Sequence, residues 1–192
     1  MSHEPPLPGT TQATPYAPAA RRELSIFGAR VECVLLPQRA TRPGQPGASR
    51  PSLRADVTAR ILREETQWQD DVVAITANRF PFAKNQQIFW SRRATREHGV
   101  DFLSRVFAAV DRCAGSALIN SIGAAASIPL AHAHLTEERL PFLSSLRTRP
   151  LALEGLPQVA GAEVHQADAP FCLLAVRGSA QARAQMVHAL QL

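Results

Sequence analysis

Two histidines and a threonine alternate with small or apolar residues in the segment His132-Ala-His134-Leu-Thr136. On a β-strand, alternate side chains point to the same face, so this segment predicts two imidazoles and a hydroxyl side by side. An imidazole near neutral pH is a good nucleophile and a good leaving group. Neighbouring groups that donate to phosphate oxygens stabilise the charge that develops there. The spacing therefore suits group transfer at phosphorus.

A polar segment rich in small residues comes directly before the two histidines. Asn120, Gly123 and Ser127 are spread evenly through it. Such a segment predicts a small, flexible loop above the histidine face. Taken alone, the same pattern is also that of a plain turn.

Composition limits the classes of protein to be considered. The chain has 192 residues, enough for one domain with a sizeable core. The net charge of +5 is carried by arginine, because Lys84 is the single lysine, and it favours anionic partners. There is no block of basic residues, no zinc-finger spacing and only 6% aromatic content, so we predict no nucleic-acid partner. The same positive charge would also attract a nucleotide, which is a smaller anionic partner.

The cellular location of the protein and the redox state of its cysteines are predicted from sequence features that are missing. No apolar run approaches the length of a membrane span and the first residues lack the pattern of a secretory signal, so we expect a cytoplasmic protein without a membrane partner. Cys33, Cys113 and Cys172 are far apart and odd in number, which argues against disulfides and against a cysteine metal site. No metal and no cofactor are predicted.

The order of elements predicts an α+β domain with a mainly antiparallel sheet and helices packed on one side of it. Residues 1–22 are expected to form a disordered, proline-rich tail, residues 23–192 one domain, and residues 37–52 a flexible loop within it. Strands are predicted at residues 24–36, 71–77, 87–91, 117–119, 132–136 and 170–176, helices at 53–68, 100–114 and 180–192, and mostly loop at 147–169. Gly115 is placed where a helix cap belongs.

Two blocks together resemble the histidine triad superfamily, specifically its transferase branch of galactose-1-phosphate uridylyltransferases and diadenosine tetraphosphate phosphorylases. The first block runs from Asn78 through Phe80 and Pro81 to the strand that ends at Ser91. The second is Asn120-x-x-Gly-x-x-Ala-Ser127 leading to His132-x-His134. The resemblance covers roughly residues 70–192. It implies a histidine-triad-like α+β fold and admits a homodimer.

The resemblance also implies a role for each matching residue. His134 would be the nucleophile that forms a covalent nucleotidyl-imidazole, and His132 would orient the site. Asn120, with Gly123 and Ser127 in its loop, would contact phosphate or ribose. The turn Asn78, Phe80 and Pro81 would shape the nucleotide pocket. The implied activity is that of a nucleotidyltransferase or phosphorylase acting on a nucleotide or nucleotide-sugar phosphoanhydride, without a metal.

This sequence departs from the family pattern at three places. Thr136 stands where transferases have glutamine and hydrolases histidine, Asn85-Gln86 replaces a Gly-His pair, and two extra residues separate Pro129 from His132. A threonine hydroxyl is still a donor but a shorter one, so Thr136 is counted with the catalytic residues and a slow enzyme or a binder is expected.

Several alternatives stay open. The enzyme could instead be a nucleotide phosphoramidate or dinucleotide hydrolase. From another class, the chain could be a degenerate homologue that binds a nucleotide or a protein without turnover. His132 and His134 could also be a pair without a role or two ligands of a metal. His98, His165 and His188 are isolated in sequence and are predicted to be solvated.

Overall fold

The structure is a computed structural model that describes residues 4–8, 15–39, 56–120, 128, 130–152, 154–155 and 157–191. Gly123 and Ser127 lie outside the described residues, as do residues 40–52 of the expected loop. The strands are β1 (Ala20–Ile26), β2 (Ala29–Leu35), β3 (Thr66–Gln69), β4 (Val73–Ala77), β5 (Gln87–Ser91), β6 (Ser116–Ile119), β7 (His132–Thr136), β8 (Thr148–Pro150), β9 (Ala162–Ala167) and β10 (Leu174–Gly178). The helices are α1 (Asp56–Glu64), α2 (Val100–Cys113), α3 (Pro141–Ser145) and α4 (Ala180–Ala189).

The strands form three sheets within the described part of the chain. The central sheet has the order β3-β4-β5-β7-β6, β8 to β10 form a second sheet and β1 and β2 a third. Every strand pair in them is antiparallel. The predicted α+β class with antiparallel sheets is therefore confirmed. No helix of the described residues is both long and apolar enough to cross a bilayer.

The central sheet is covered on both faces. On one face, Phe102, Val106 and Ala109 of α2 pack against a fully buried layer of strand residues, namely Val73, Ile75, Phe89, Ala133 and Leu135. On the other face, Ile61 and Leu62 of α1 pack against Ala74, Ile88 and Trp90. The prediction that the helices lie on one side is therefore wrong. Strands β4 and β5 are apolar on both faces, so both faces need a covering element.

Regular structure begins nearer the N-terminus than the composition of this region predicts. Instead of one strand at residues 24–36, β1 and β2 pair as a hairpin around Phe27 and Gly28, both with positive φ (52° and 74°). A two-residue hairpin turn with positive φ at both central positions is usually marked by Asn-Gly or Asp-Gly, so in this sequence only the glycine signals the turn. Strand β1 also begins at Ala20, inside the segment expected to be a disordered tail.

Two further segments differ from the prediction. The expected helix at residues 53–68 ends at Glu64 and is followed by β3, which pairs with β4. Residues 147–169 were expected to be mostly loop, yet β8 and β9 form there and the last strand, β10, begins at Leu174. These short strands carry few apolar residues, so their pairing partners decide their structure more than their own propensity does.

Gly115 has a different role from the predicted helix cap. The left-handed residue at the end of α2 is Ala114 (φ 50°, ψ 28°). A Cβ atom on Gly115 would overlap the backbone carbonyl oxygen of Thr136 and lie 3.0 Å from Cα of Glu137. The glycine is therefore required by the close approach of the chain after α2 to the end of β7.

We expect Gly115→Ala to lower the free energy of unfolding by about 3 kcal/mol, because the backbone at the end of β7 must move to admit a methyl group. The matched control is Gly99→Ala, since nothing lies within 4 Å of the position its Cβ would take. Urea denaturation of both variants tests this. If the two variants were equally stable, the backbone at the end of β7 could move to admit the methyl group without loss of stability.

Candidate active site

Strand β7 carries the predicted histidine face. Ala133 and Leu135 are fully buried in the layer under α2, so alternation places His132, His134 and Thr136 on the opposite face. Trp90 of β5 pairs with His132, and His134 pairs with Ile88 of β5 on one side and Leu118 of β6 on the other. The strand and the alternation predicted for residues 132–136 are confirmed.

His132 is the buried member of the pair, with 5% of its surface exposed. Its ring stacks on that of Trp90 at 5.4 Å between centroids. Nδ1 lies 2.8 Å from the carbonyl oxygen of Leu130 and donates to it, which leaves the lone pair of the neutral ring on Nε2. Burial lowers the pKa of His132, and the bond to Leu130 opposes part of that effect. His132 is therefore a neutral imidazole at neutral pH.

His134 is more accessible than His132 and is only half-buried. Its ring meets the ring of His132 nearly edge-on, at 5.4 Å and 81°. The ring of Phe82 approaches from another side, at 5.5 Å and 60°. Two aromatic neighbours thus restrict the orientation of the His134 imidazole.

Thr136 is fully buried and its hydroxyl is engaged within the protein. Oγ1 donates to the carbonyl oxygen of Lys84 at 2.7 Å and accepts from the backbone N–H of Glu138 at 3.2 Å. This bond ties the end of β7 to the loop between β4 and β5. Within this structure, the threonine hydroxyl proton points to the loop rather than to a ligand on the histidine face.

The loop of residues 78–86 is built by its own side chains. Oδ1 of Asn78 accepts from the N–H of Phe80 at 3.0 Å, and Oε1 of Gln86 accepts from the N–H of Phe82 at 2.9 Å. Pro81 is buried and Phe80 half-buried. Asn78, Phe80 and Pro81 therefore shape the loop, but the residue brought against His134 is Phe82. The sequence analysis missed Phe82, although two phenylalanines flanking a proline marked this turn as a candidate.

Asn120 lies at the end of β6 and is exposed. The β6–β7 register ends with Ile119 opposite Ala133, and one more residue in that register would put Asn120 opposite His132. Its predicted place on the histidine face is compatible with this position. The predicted contacts of Gly123 and Ser127 fall on residues outside the described part of the chain.

A third histidine, His98, supports the site and was not predicted. It is 2% exposed, and its Nε2 lies 3.3 Å from the backbone carbonyl oxygen of His132. Burial lowers the pKa of His98, and the hydrogen bond to His132 opposes part of this. The prediction of solvated histidines is therefore wrong for His98, and also for His165, which is 7% exposed on β9. Neither stands in a sequence pattern that marks burial.

In the part of the chain that the structure describes, no group of three or more His, Cys, Asp and Glu side chains could hold a metal ion. Comparisons of the chain with protein-family models, curated proteins and solved structures gave no match.

We expect the free energy of unfolding to fall as the pH drops below about 6.5, the ordinary pKa of histidine. His98 and His132 have lowered pKa values in the folded protein, so the unfolded chain binds protons that the folded protein does not. Above that pH both states are neutral and the two groups add no pH dependence. Urea unfolding across this range measures the slope.

The substitution His98→Asn should reduce that slope, because one of the two buried groups is removed. His188→Asn, the same substitution in the last helix, is the matched control. If the free energy of unfolding of the wild type instead rose as the pH is lowered, His98 and His132 could not be buried in the neutral form.

Proposed function

We propose that this protein is a nucleotidyltransferase or nucleotide phosphorylase in which His134 forms a covalent nucleotidyl intermediate. A nitrogen of the His134 ring attacks phosphorus, a P–N bond forms and the P–O bond of the phosphoanhydride breaks, releasing the second phosphate group. An acceptor oxygen then attacks the same phosphorus, the P–N bond breaks and the imidazole is restored. Splitting one displacement into two is the usual benefit of a covalent nucleophile.

The observation that carries the proposal is the difference between the two adjacent imidazoles. His134 is half-buried and the more accessible of the two, whereas His132 is 5% exposed, stacked on Trp90 and bound through Nδ1 to Leu130. An attacking group must reach the substrate, so the accessible ring is assigned as nucleophile and the fixed one as its support.

The proposed histidine-triad-like fold fits the same elements. The strand with the histidines is flanked by β5, which follows the Asn78 turn, and by β6, which precedes the loop that begins at Asn120. In this proposal Asn120 binds phosphate, together with the Gly123 and Ser127 loop. The substrate is a nucleotide or nucleotide sugar, and the displacement requires no metal.

A second candidate is a homologue that binds a nucleotide without turnover. The observation in its favour is the Thr136 hydroxyl, whose proton is donated to the carbonyl oxygen of Lys84. A transferase needs a donor at this position to hold the phosphoryl oxygens of the intermediate. If Thr136 keeps its present bond when substrate is bound, the P–O bond is broken slowly or not at all.

Mixing the protein with nucleoside diphosphate sugars and dinucleotides should give a covalent adduct of one nucleotidyl group, seen by intact-protein mass spectrometry. His134→Asn should abolish this adduct, while His165→Asn, in a different sheet, should retain it. Thermal unfolding checks that both variants are folded. Survival of the adduct in His134→Asn would refute the assignment of the nucleophile, and its absence from the wild type would favour the binder.

Thr136→Val keeps the shape of the side chain but removes the bonds to Lys84 and Glu138. We expect it to lower the free energy of unfolding by about 1–3 kcal/mol, the cost of leaving buried partners unpaired. Thr136→Ser retains the hydroxyl and is the matched control. Urea denaturation measures the stability, and the time course of the adduct measures the chemistry.

If Thr136 turns to the substrate during the reaction, Thr136→Val should also slow the formation of the adduct, by about 10²–10³. If the folded Thr136→Val protein formed the adduct at an unchanged rate, the role of Thr136 would be only to hold the loop in place.

A further inference from the structure

A cleft of about 480 Å³ lies where α2, α3 and α4 approach the outer strand β6 of the central sheet. Phe107 and Val110 of α2 and Ala117 of β6 line it, and Val110 and Ala117 also pack against the apolar layer under α2. Alternation on β6 places Ala117 on the face opposite Leu118, the residue that pairs with His134. The cleft is therefore separate from the histidine face. Its volume is within the range of small-molecule sites.

The side of the cleft formed by α3 is apolar and open to solvent. Leu143 of α3 lines it and is 56% exposed, and Leu140, directly before α3, is half-buried. The backbone N–H of Leu140 donates to Oγ of Ser116 at 2.9 Å, which fixes the start of α3 against β6. A ligand with an apolar part would be stabilised here, because it removes exposed apolar surface from water.

One guanidinium is held in place where α4 meets α2. Nη2 of Arg183 donates to Oδ2 of Asp111, and the guanidinium lies 5.1 Å from the centroid of the Phe107 ring. Nε of Arg183 is buried and has no hydrogen-bond partner in the part of the chain that the structure describes. Asp111 therefore uses only part of the donor capacity of this guanidinium.

A second guanidinium, that of Arg139, is not neutralised. Its Nε donates to the carbonyl oxygen of Ala114 at the end of α2, at 3.0 Å, which leaves its two terminal nitrogens for another partner. Among the described residues Arg139 is in no ion pair, whereas Arg183 is paired with Asp111. These two arginines and this aspartate are the charged residues that line the cleft, so the cleft carries an excess of one positive charge.

We propose that this cleft binds a small monocarboxylic acid with an apolar chain or ring. The carboxylate accepts from the terminal nitrogens of Arg139, because a guanidinium matches the two oxygens of a carboxylate. The apolar part lies against Val110 and Leu143. A dianion such as a phosphate monoester is disfavoured, because its second charge would be unpaired near Asp111. This site goes beyond the proposed function and does not depend on it, since the histidines are on the other face of the sheet.

The direct test is titration by saturation-transfer NMR with phenylacetate as the probe, phenylacetamide as its neutral match and benzyl phosphate as its dianionic match. The wild type should bind phenylacetate about tenfold more tightly than the amide, the usual effect of a hydrogen bond to a charged group, and more tightly than the phosphate. Ser144→Trp, which fills the cleft from α3, should abolish binding. Ala108→Trp is the matched control, because Ala108 is exposed on α2 and does not line the cleft.

Two charge variants test the recognition of the carboxylate. Arg139→Gln should weaken the binding of phenylacetate about tenfold and leave that of the amide unchanged, whereas Arg149→Gln, on β8 outside the cleft, should change neither. Asp111→Asn should strengthen the binding of phenylacetate, because it removes a competing negative charge. Asp101→Asn, in the first turn of the same helix, is its matched control. Thermal unfolding checks that each variant is folded.

Three results would overturn the site: no binding of phenylacetate to the wild type, equal binding of the acid and the amide, or tighter binding of benzyl phosphate. Sedimentation velocity tests a second copy of the chain as the occupant. A dimer that dissociates in Ser144→Trp but not in Ala108→Trp, without binding of phenylacetate to the wild type, would assign the cleft to an interface and overturn the proposal. The adduct on His134 is measured separately, so its absence would refute the proposed function and leave the carboxylate site standing.

Discussion

The register of β7 between β5 and β6 is the constraint on which the rest of the site depends. With Ala133 opposite Phe89 and Ile119, the small residue enters the layer under α2 and the imidazoles face the other way. A shift of one residue would exchange the two sets and turn His132 and His134 into the apolar layer under α2. The packing of α2, which places Phe102 and Val106 over the strand, therefore fixes the direction of the candidate nucleophile.

Thr136 shows how one small side chain can connect several parts of a site. Its hydroxyl joins the end of β7 to Lys84 and to Glu138, and Glu138 in turn joins the Lys84 amide to the β1–β2 hairpin through Arg21. The loop that holds Phe82 against His134 is anchored by these bonds. The residue type at this position thus affects the geometry of the loop, and a longer side chain there would have to replace both hydrogen bonds.

The sequence is informative where its signal is periodic and local. It predicts β5, β7 and the whole of α2 because their apolar residues repeat at the spacing of the element. It does not reveal β3, β8 and β9, because their short polar sequences form strands only through pairing with neighbouring strands. It also does not reveal the hairpin turn, in which Phe27 takes a positive φ. It identified His132 and His134, but His98 and Phe82 reach the site from other segments, and their contacts follow from tertiary packing alone.

The β1–β2 hairpin is a two-stranded ribbon whose residues are largely exposed, in contrast to the buried strands of the central sheet. Its contacts include α3, the ring of Phe171 against Phe27, and the ion pairs of Arg21. Such a ribbon opens at a lower free energy than the sheet beneath it, because little apolar surface is exposed when it does. Amide protons of β1 and β2 therefore exchange with solvent through local opening of the ribbon, whereas those of the core strands require a less frequent opening of the sheet.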